Sequence, residues 1–210
     1  MSPTSLLLVH GAGSGPWVFD GWAEDFPTLS VAAPDLQEGL DVRRASMNDY
    51  AGRVVAEGRS LGQPLALCGW SMGGLVAMMA VPQLGPEVLI LIEASASGEV
   101  QGFNDEVEPR EGAFDSDLVY GAFPPGMRSR PESQYARDER KRGIAVPAVP
   151  GRTLVIAGRD FPDERGRALA ELYGAQLREF PTLGHWDLVR ASVVREEIRQ
   201  FLGGPLRGTA

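Results

Sequence analysis

The stretch LALCGWSMGGLVAMMA, residues 65 to 80, runs from an apolar segment through Gly69-Trp70-Ser71-Met72-Gly73 into a second apolar segment of helical character. Its centre has the form G-x-S-x-G, a weak signal alone that gains meaning from what surrounds it. Here a strand-like run ends directly in the turn, and a helix-like run starts directly after it. Such a strained turn lifts a serine above the ends of a sheet, where a nucleophile has to stand. Gly69 and Gly73 suit the point where strand and helix close on each other, and Gly74 extends the patch of small residues. The following helix would turn the positive end of its dipole toward Ser71 Oγ. The plainer alternative is a serine that only caps the helix.

A serine hydroxyl is a poor nucleophile without an adjacent base, most often histidine. The chain has two histidines. His10 ends the first apolar run. His185, in FPTLGHWDLV, is expected on a loop ahead of the final helical segment, and its late position fits the chain order Ser…Asp/Glu…His. If His185 is the base, it takes the serine proton in its neutral form.

The opening, LLLVHGAGSGPW (6–17), can be read in two ways. As a dinucleotide loop it begins like G-x-G-x-x-G after a strand, with Asp35 about 20 residues on, where a ribose-binding acid belongs. However, Pro16 holds the sixth position, where a close helix–strand approach needs a small residue, and His10 has no role in that scheme. As half of an oxyanion hole, the loop would present a backbone N–H to a developing negative charge. Asp35 then becomes a loop anchor.

Outward from these motifs the chain alternates strand-like and helix-like segments. Apolar runs at 6–10, 29–35, 64–70, 87–94 and 152–158 suit strands covered on both faces, and 176–181 alternates like an edge strand. Helical patterns occupy 46–61, 73–81, 163–173 and 191–202, the last ending at Gly203-Gly204. This alternation predicts an α/β class with a parallel sheet. Between 95 and 150 periodicity fades into a proline-containing stretch, acidic at first (Glu99, Asp105, Glu106, Glu108) and then basic at RDERKR (137–142). A stretch this long within a compact domain suggests a lid, a cap or an insert, and the mixed charges of RDERKR suggest a solvated helix face. The tail, 203–210, is expected to fray.

With 210 residues the chain suits one domain, and a net charge of −8 argues against a nucleic-acid partner. The single cysteine, Cys68, rules out an internal disulfide and lies in an apolar run, so packing is its expected role. The first apolar run is too short for a signal-peptide core, and no stretch approaches the ~20 apolar residues of a membrane span. A soluble, cytoplasmic protein is the expectation.

Gly-Trp-Ser-Met-Gly after a strand, HGAGSG after the first strand and GHW near the C-terminus together resemble the α/β-hydrolase superfamily. The likeness covers nearly the whole chain except 95–150. It implies a mostly parallel central sheet with helices on both faces, in one domain over 1–210 with a small cap or lid at 95–150. The implied activity is a serine hydrolase that cleaves carboxylic esters, lactones or thioesters through an acyl-enzyme on Ser71. His185 would be the base, and the N–H groups of Ala12 and Met72 would hold the oxyanion. The resemblance implies a small-molecule ester-like substrate and no metal or other cofactor.

In this superfamily the triad acid usually follows the strand after the cap, which favours Asp160 in RTLVIAGRDFPDERGRAL. Members commonly show G-x-x-D there, whereas Gly158-Arg159-Asp160 is one residue shorter. Asp163 and Glu93 are the alternative acids. Asp163 sits where a helix N-cap is expected, and Glu93 ends an earlier strand that carries the acid in some members. Trp17, Trp70 and Trp186 flank the catalytic segments as pocket walls or as core. C–C hydrolase, perhydrolase or hydroxynitrile-lyase-like chemistry also stays open, the last because HGAGSGPW resembles the HGA-x-x-x-x-W openings of plant methylesterases and their lyase relatives. A receptor-like binding protein on the same fold is the non-enzymatic alternative.

Overall fold

Side chains on a strand point alternately to opposite faces, so a run that is apolar at every position needs a cover on both sides. The computed structural model, which describes residues 2–203, supplies those covers. The strands are β1 (Ser5–Val9), β2 (Ser30–Ala32), β3 (Leu65–Trp70), β4 (Val88–Ile92), the short β5 (Ala113–Phe114) and β6 (Glu132–Ser133), β7 (Thr153–Ala157) and β8 (Gln176–Glu179). Six of them form one sheet in the order β2-β1-β3-β4-β7-β8, with every neighbouring pair parallel. The alternating run at 176 is the edge strand it was expected to be. The run at 29–35 pairs over three residues only.

The α-helices among the described residues are α1 (Trp22–Asp25), α2 (Met47–Leu61), α3 (Met72–Leu84), α4 (Gly98–Gln101), α5 (Ser116–Tyr120), α6 (Gln134–Arg142), α7 (Ala168–Tyr173), α8 (His185–Arg190) and α9 (Ser192–Gly203). Leu7, Val9, Leu67, Leu89, Leu91 and Val155 face α2, α3 and α7 through Tyr50, Val54, Leu75 and Leu169. Leu6, Leu8, Cys68, Ile90, Ile92 and Ile156 face α1, α8 and α9 through Trp22, Leu188, Val194 and Ile198. Cys68 is wholly buried, and burial pushes its thiol well above the ordinary range, which suits a packing role.

Local chemistry sets the helix ends. α2 starts at a capping box in which Ser46 Oγ accepts the Asp49 N–H at 3.1 Å and Asp49 Oδ2 accepts the Ser46 N–H at 2.8 Å. α3 ends at Gly85, a left-handed residue suited to glycine. The helix expected over 163–173 begins instead with a widened turn, Asp163–Arg167, in which the Arg167 N–H reaches back to the Pro162 carbonyl at 2.9 Å. The frayed tail expected over 203–210 lies, beyond Gly203, outside the described residues.

The segment between β4 and β7 holds α4, α5, α6 and the antiparallel pair β5–β6, in register Ala113↔Ser133 and Phe114↔Glu132. Two of its side chains, the half-buried Glu139 and the buried Ser133, tie it to the start of α2. Glu139 Oε2 accepts the Met47 N–H at 2.7 Å, and Ser133 Oγ donates to the Ala45 carbonyl at 2.6 Å.

Candidate active site

Ser71 stands between β3 and α3 with φ 56° and ψ −127°, in a region that an L-residue enters only under constraint. Its N–H donates to the Ile92 carbonyl at 3.0 Å, and its own carbonyl accepts the N–H groups of Gly74 (3.0 Å) and Ser95 (2.9 Å). The glycines around it allow the turn to close. A Cβ on Gly69 would meet the Gly73 carbonyl oxygen at 2.3 Å, and one on Gly73 would meet the Val9 oxygen at 2.2 Å. Ser71 therefore begins α3 without capping it through its side chain. Plain helix capping does not account for this serine.

The other non-glycine residue with positive φ among the described residues is Glu93, at φ 40°, directly after β4. This turn sends a wholly buried carboxylate across the strand ends. Glu93 Oε1 accepts the Gly158 N–H at 3.0 Å, and Oε2 pairs in a short contact with His185 Nδ1. A carboxylate only accepts, so Nδ1 carries the hydrogen and Nε2 is left as the basic nitrogen of the ring. His185 opens α8. Its ring stacks on Trp70 at 4.9 Å between centroids, Trp70 Nε1–H donates to the His185 carbonyl at 3.1 Å, and Phe161 meets the ring edge-on at 6.0 Å. Tautomer and orientation are both held.

The carboxylate on the histidine ring is thus not that of Asp160, which was expected there. Asp160 Oδ2 accepts the backbone N–H of His185 at 2.7 Å, at the exposed start of α8. The Arg159 N–H is tied to the Leu183 carbonyl at 2.9 Å, which leaves Asp160 beside the backbone of the next loop. Asp163 lies farther out, exposed and paired with Arg167 at 2.7 Å, as the first residue of the widened turn and not its N-cap.

The loop after β1 leads into a single 3-10 turn, Pro16–Phe19, where a dinucleotide loop would lead into a long α-helix. His10 is buried, donates from Nδ1 to the Gly11 carbonyl at 3.0 Å and accepts the Leu36 N–H on Nε2 at 3.1 Å. Asp35 anchors the same region through Arg130, at 2.6 and 2.8 Å. Burial would raise the Asp35 carboxyl, but the Arg130 hydrogen bonds and charge, together with the Gln37 N–H, hold it far below the usual carboxylate range. The loop also has a support that sequence reasoning missed. Glu132, buried in β6, accepts the Gly13 N–H at 2.8 Å on Oε2, and the Tyr50 hydroxyl and Ser133 N–H on Oε1. The Arg130 N–H donates to the Gly13 carbonyl at 2.9 Å. No local pattern in the irregular 95–150 stretch announces either residue.

With Gly13 and Ser14 committed, the backbone N–H groups of Ala12 and Met72 have no acceptor among the described residues. Trp70 and Trp186 pack together at 4.7 Å beside His185, and Phe123 closes on Trp186 at 4.7 Å. Trp17 instead lines a separate cavity of about 330 Å³ with Met127, Arg128 and Val189.

Comparison with known proteins agrees with this architecture. A pimeloyl-[acyl-carrier protein] methyl ester esterase of Aromatoleum aromaticum is 33% identical over 81 residues, a match covering 37% of this chain and 31% of that one. Among solved structures, a pyrethroid hydrolase from Sphingobium faniae JZ-2 superposes with a TM-score of 0.69 at 18% identity, covering 96% of this chain and 98% of its own. The RedJ thioesterase of the prodiginine pathway in Streptomyces coelicolor gives 0.65 at 20% identity, covering 94% and 88%. These two similarities show a common fold. The model of the Alpha/beta hydrolase family matches residues 6–197, and the chain belongs to that family.

Proposed function

We propose that the protein is a serine hydrolase that cleaves small carboxylic esters, lactones or thioesters, with Ser71, His185 and Glu93 as its triad. The observation that carries this reading is the pairing of Glu93 with His185 Nδ1, where Glu93 directly follows Ile92, whose carbonyl accepts the N–H of the positive-φ Ser71. His185 Nε2 takes the Ser71 hydroxyl proton as Oγ attacks the carbonyl carbon. The resulting oxyanion lies against the N–H groups of Ala12 and Met72. The imidazolium, stabilised by Glu93, then protonates the leaving alcohol or thiol, and water repeats the sequence on the acyl-enzyme. The segment 95–150 acts as the cap, with Phe123 and Trp186 forming one wall. Asp160 serves as a positioning residue for the start of α8.

The test is covalent labelling with a fluorophosphonate probe, followed by turnover of p-nitrophenyl esters. Wild type is expected to label and turn over, and Ser71→Ala to do neither. An unlabelled wild type would exclude the serine mechanism. Rapid labelling without turnover of any ester or thioester would favour a receptor on the same fold.

A further inference from the structure

Positions 137, 140 and 141 fall on one face of α6, by the i, i+3, i+4 spacing of a helix, and all three are cationic. The two acids of this helix are engaged elsewhere. Glu139 accepts the Met47 N–H, while the buried Asp138 pairs with Gln134 Nε2 at 2.6 Å and Arg110 at 3.6 Å. The solvated face expected for RDERKR is therefore realised only in part. Arg137, Arg140 and Lys141 instead line a cavity of about 160 Å³ together with Arg165 from the turn before α7.

Four cations meet one lining carboxylate there, that of Glu164, in a protein of net charge −8. Among the described residues none of the four has a carboxylate within salt-bridge distance. Arg140 spends one nitrogen on the Tyr120 hydroxyl at 3.0 Å, and Arg165 lies over the Phe161 ring at 3.9 Å. The Nε atoms of Arg140 and Arg165 are buried with no hydrogen-bond partner. Burial lowers the Arg165 guanidinium, and the charges of Glu164 and Glu93 only partly offset it. Arg137, Arg140 and Arg165 are half-buried and Lys141 is exposed, and half-buried cations with this little counter-charge are costly unless an anion completes the set.

The cavity adjoins the catalytic residues. Ser95 in its wall donates its N–H to the Ser71 carbonyl, and Phe161, beneath Arg165, touches the His185 ring. We infer that this cavity is an anion subsite which holds a carboxylate or phosphate group carried by the substrate, so that the preferred ester bears a negative charge away from its scissile bond. This rests on the reading of Ser71 as the nucleophile. Arginine's planar fork suits either oxyanion group, and the cavity has room for one such group with a few waters.

The test compares charged and neutral esters of equal length. Mono-p-nitrophenyl esters of six- to eight-carbon dicarboxylic acids place the charge on the acyl side, and ω-acetoxyalkanoates place it on the alcohol side. Each is measured against its methyl-capped counterpart. Wild type is expected to favour one charged set about ten- to a hundredfold in kcat/KM, through KM. Arg140→Gln with Arg165→Gln should bring that ratio close to one. Arg142→Gln, on the same helix but paired with Asp105 at 3.5 Å, should keep it. A wild-type ratio near one, or a ratio unchanged in the double variant, overturns the subsite. Inhibition by adipate but not by inorganic phosphate would assign the cavity to carboxylates, and the reverse result to phosphates. If wild type turns over no ester, the proposed function fails, and the melting temperature with adipate or phosphate reads the subsite alone. A rise lost in the double variant supports it, and no rise refutes it.

Discussion

Replacing Glu93 with glutamine changes one oxygen to an NH₂ group at almost constant volume, and the surroundings dictate which one. Oε1 accepts the Gly158 N–H at 3.0 Å, so an amide nitrogen there would face a donor. The amide oxygen therefore stays on Gly158, and the NH₂ group turns to His185 Nδ1. That nitrogen must then accept, which moves the ring hydrogen to Nε2, the atom that has to take the Ser71 proton. An enforced wrong tautomer of this kind costs about ten-thousandfold in kcat in a serine triad, or about 5 kcal/mol of transition-state stabilisation. Asp160→Asn provides the contrast. Its side chain serves the His185 backbone N–H, and asparagine can still accept that bond, so activity should fall by less than about tenfold. The assay is kcat for p-nitrophenyl butyrate in wild type and both variants, with thermal melts to confirm folding. The assignment would be refuted if Glu93→Gln kept more than about a tenth of wild-type kcat, or if Asp160→Asn fell equally far.

Glu132→Gln should loosen the loop that carries Ala12, because a single amide oxygen cannot accept both the Gly13 and the Ser133 N–H groups. The expected loss of about 1–3 kcal/mol in stability should be accompanied by a lower kcat at little-changed KM; unchanged kcat would deny the loop its role. Gly73→Ala puts a Cβ 2.2 Å and 2.4 Å from the carbonyl oxygens of Val9 and His10, both backbone atoms, so urea denaturation should show a loss of about 3 kcal/mol or more. A wild-type midpoint would contradict that packing. Asp35 is held below its unfolded pKa, so its ion pair with Arg130 contributes fully above about pH 4 and fades as pH falls through the native value. The melting-temperature gap between wild type and Asp35→Asn should be constant from pH 5 to 8 and shrink below about pH 4. A gap that widened in acid would reverse the sign of this argument.

The elements that dominate the fold were legible because their signals are local. A strand apolar at every position and a glycine where strand and helix meet each declare their environment within a few residues. The widened turn at Asp163–Arg167 was not legible, since its residues suit an ordinary helix equally well. Nor was the cavity beside α6. Spacing places Arg137, Arg140 and Lys141 on one face, but whether that face meets water or Arg165 depends on where the chain returns after β6.

The same division runs through the site. The parallel α/β core, Ser71 as the residue on the tight turn and His185 as a late histidine after the edge strand were readable along the chain, because each depends on near neighbours in sequence; that His185 opens a short helix, where a loop was expected, was not. That Glu93, and not Asp160, meets the histidine ring emerges from the folded chain alone. That choice depends on a positive-φ turn after β4 and on the distance between two strand ends, separations in space that spacing along the chain does not encode. The folded chain also brings Glu132, 119 residues from Gly13, to hold the loop after β1. A hydrogen bond over that chain separation exists only once the core has brought its two ends together.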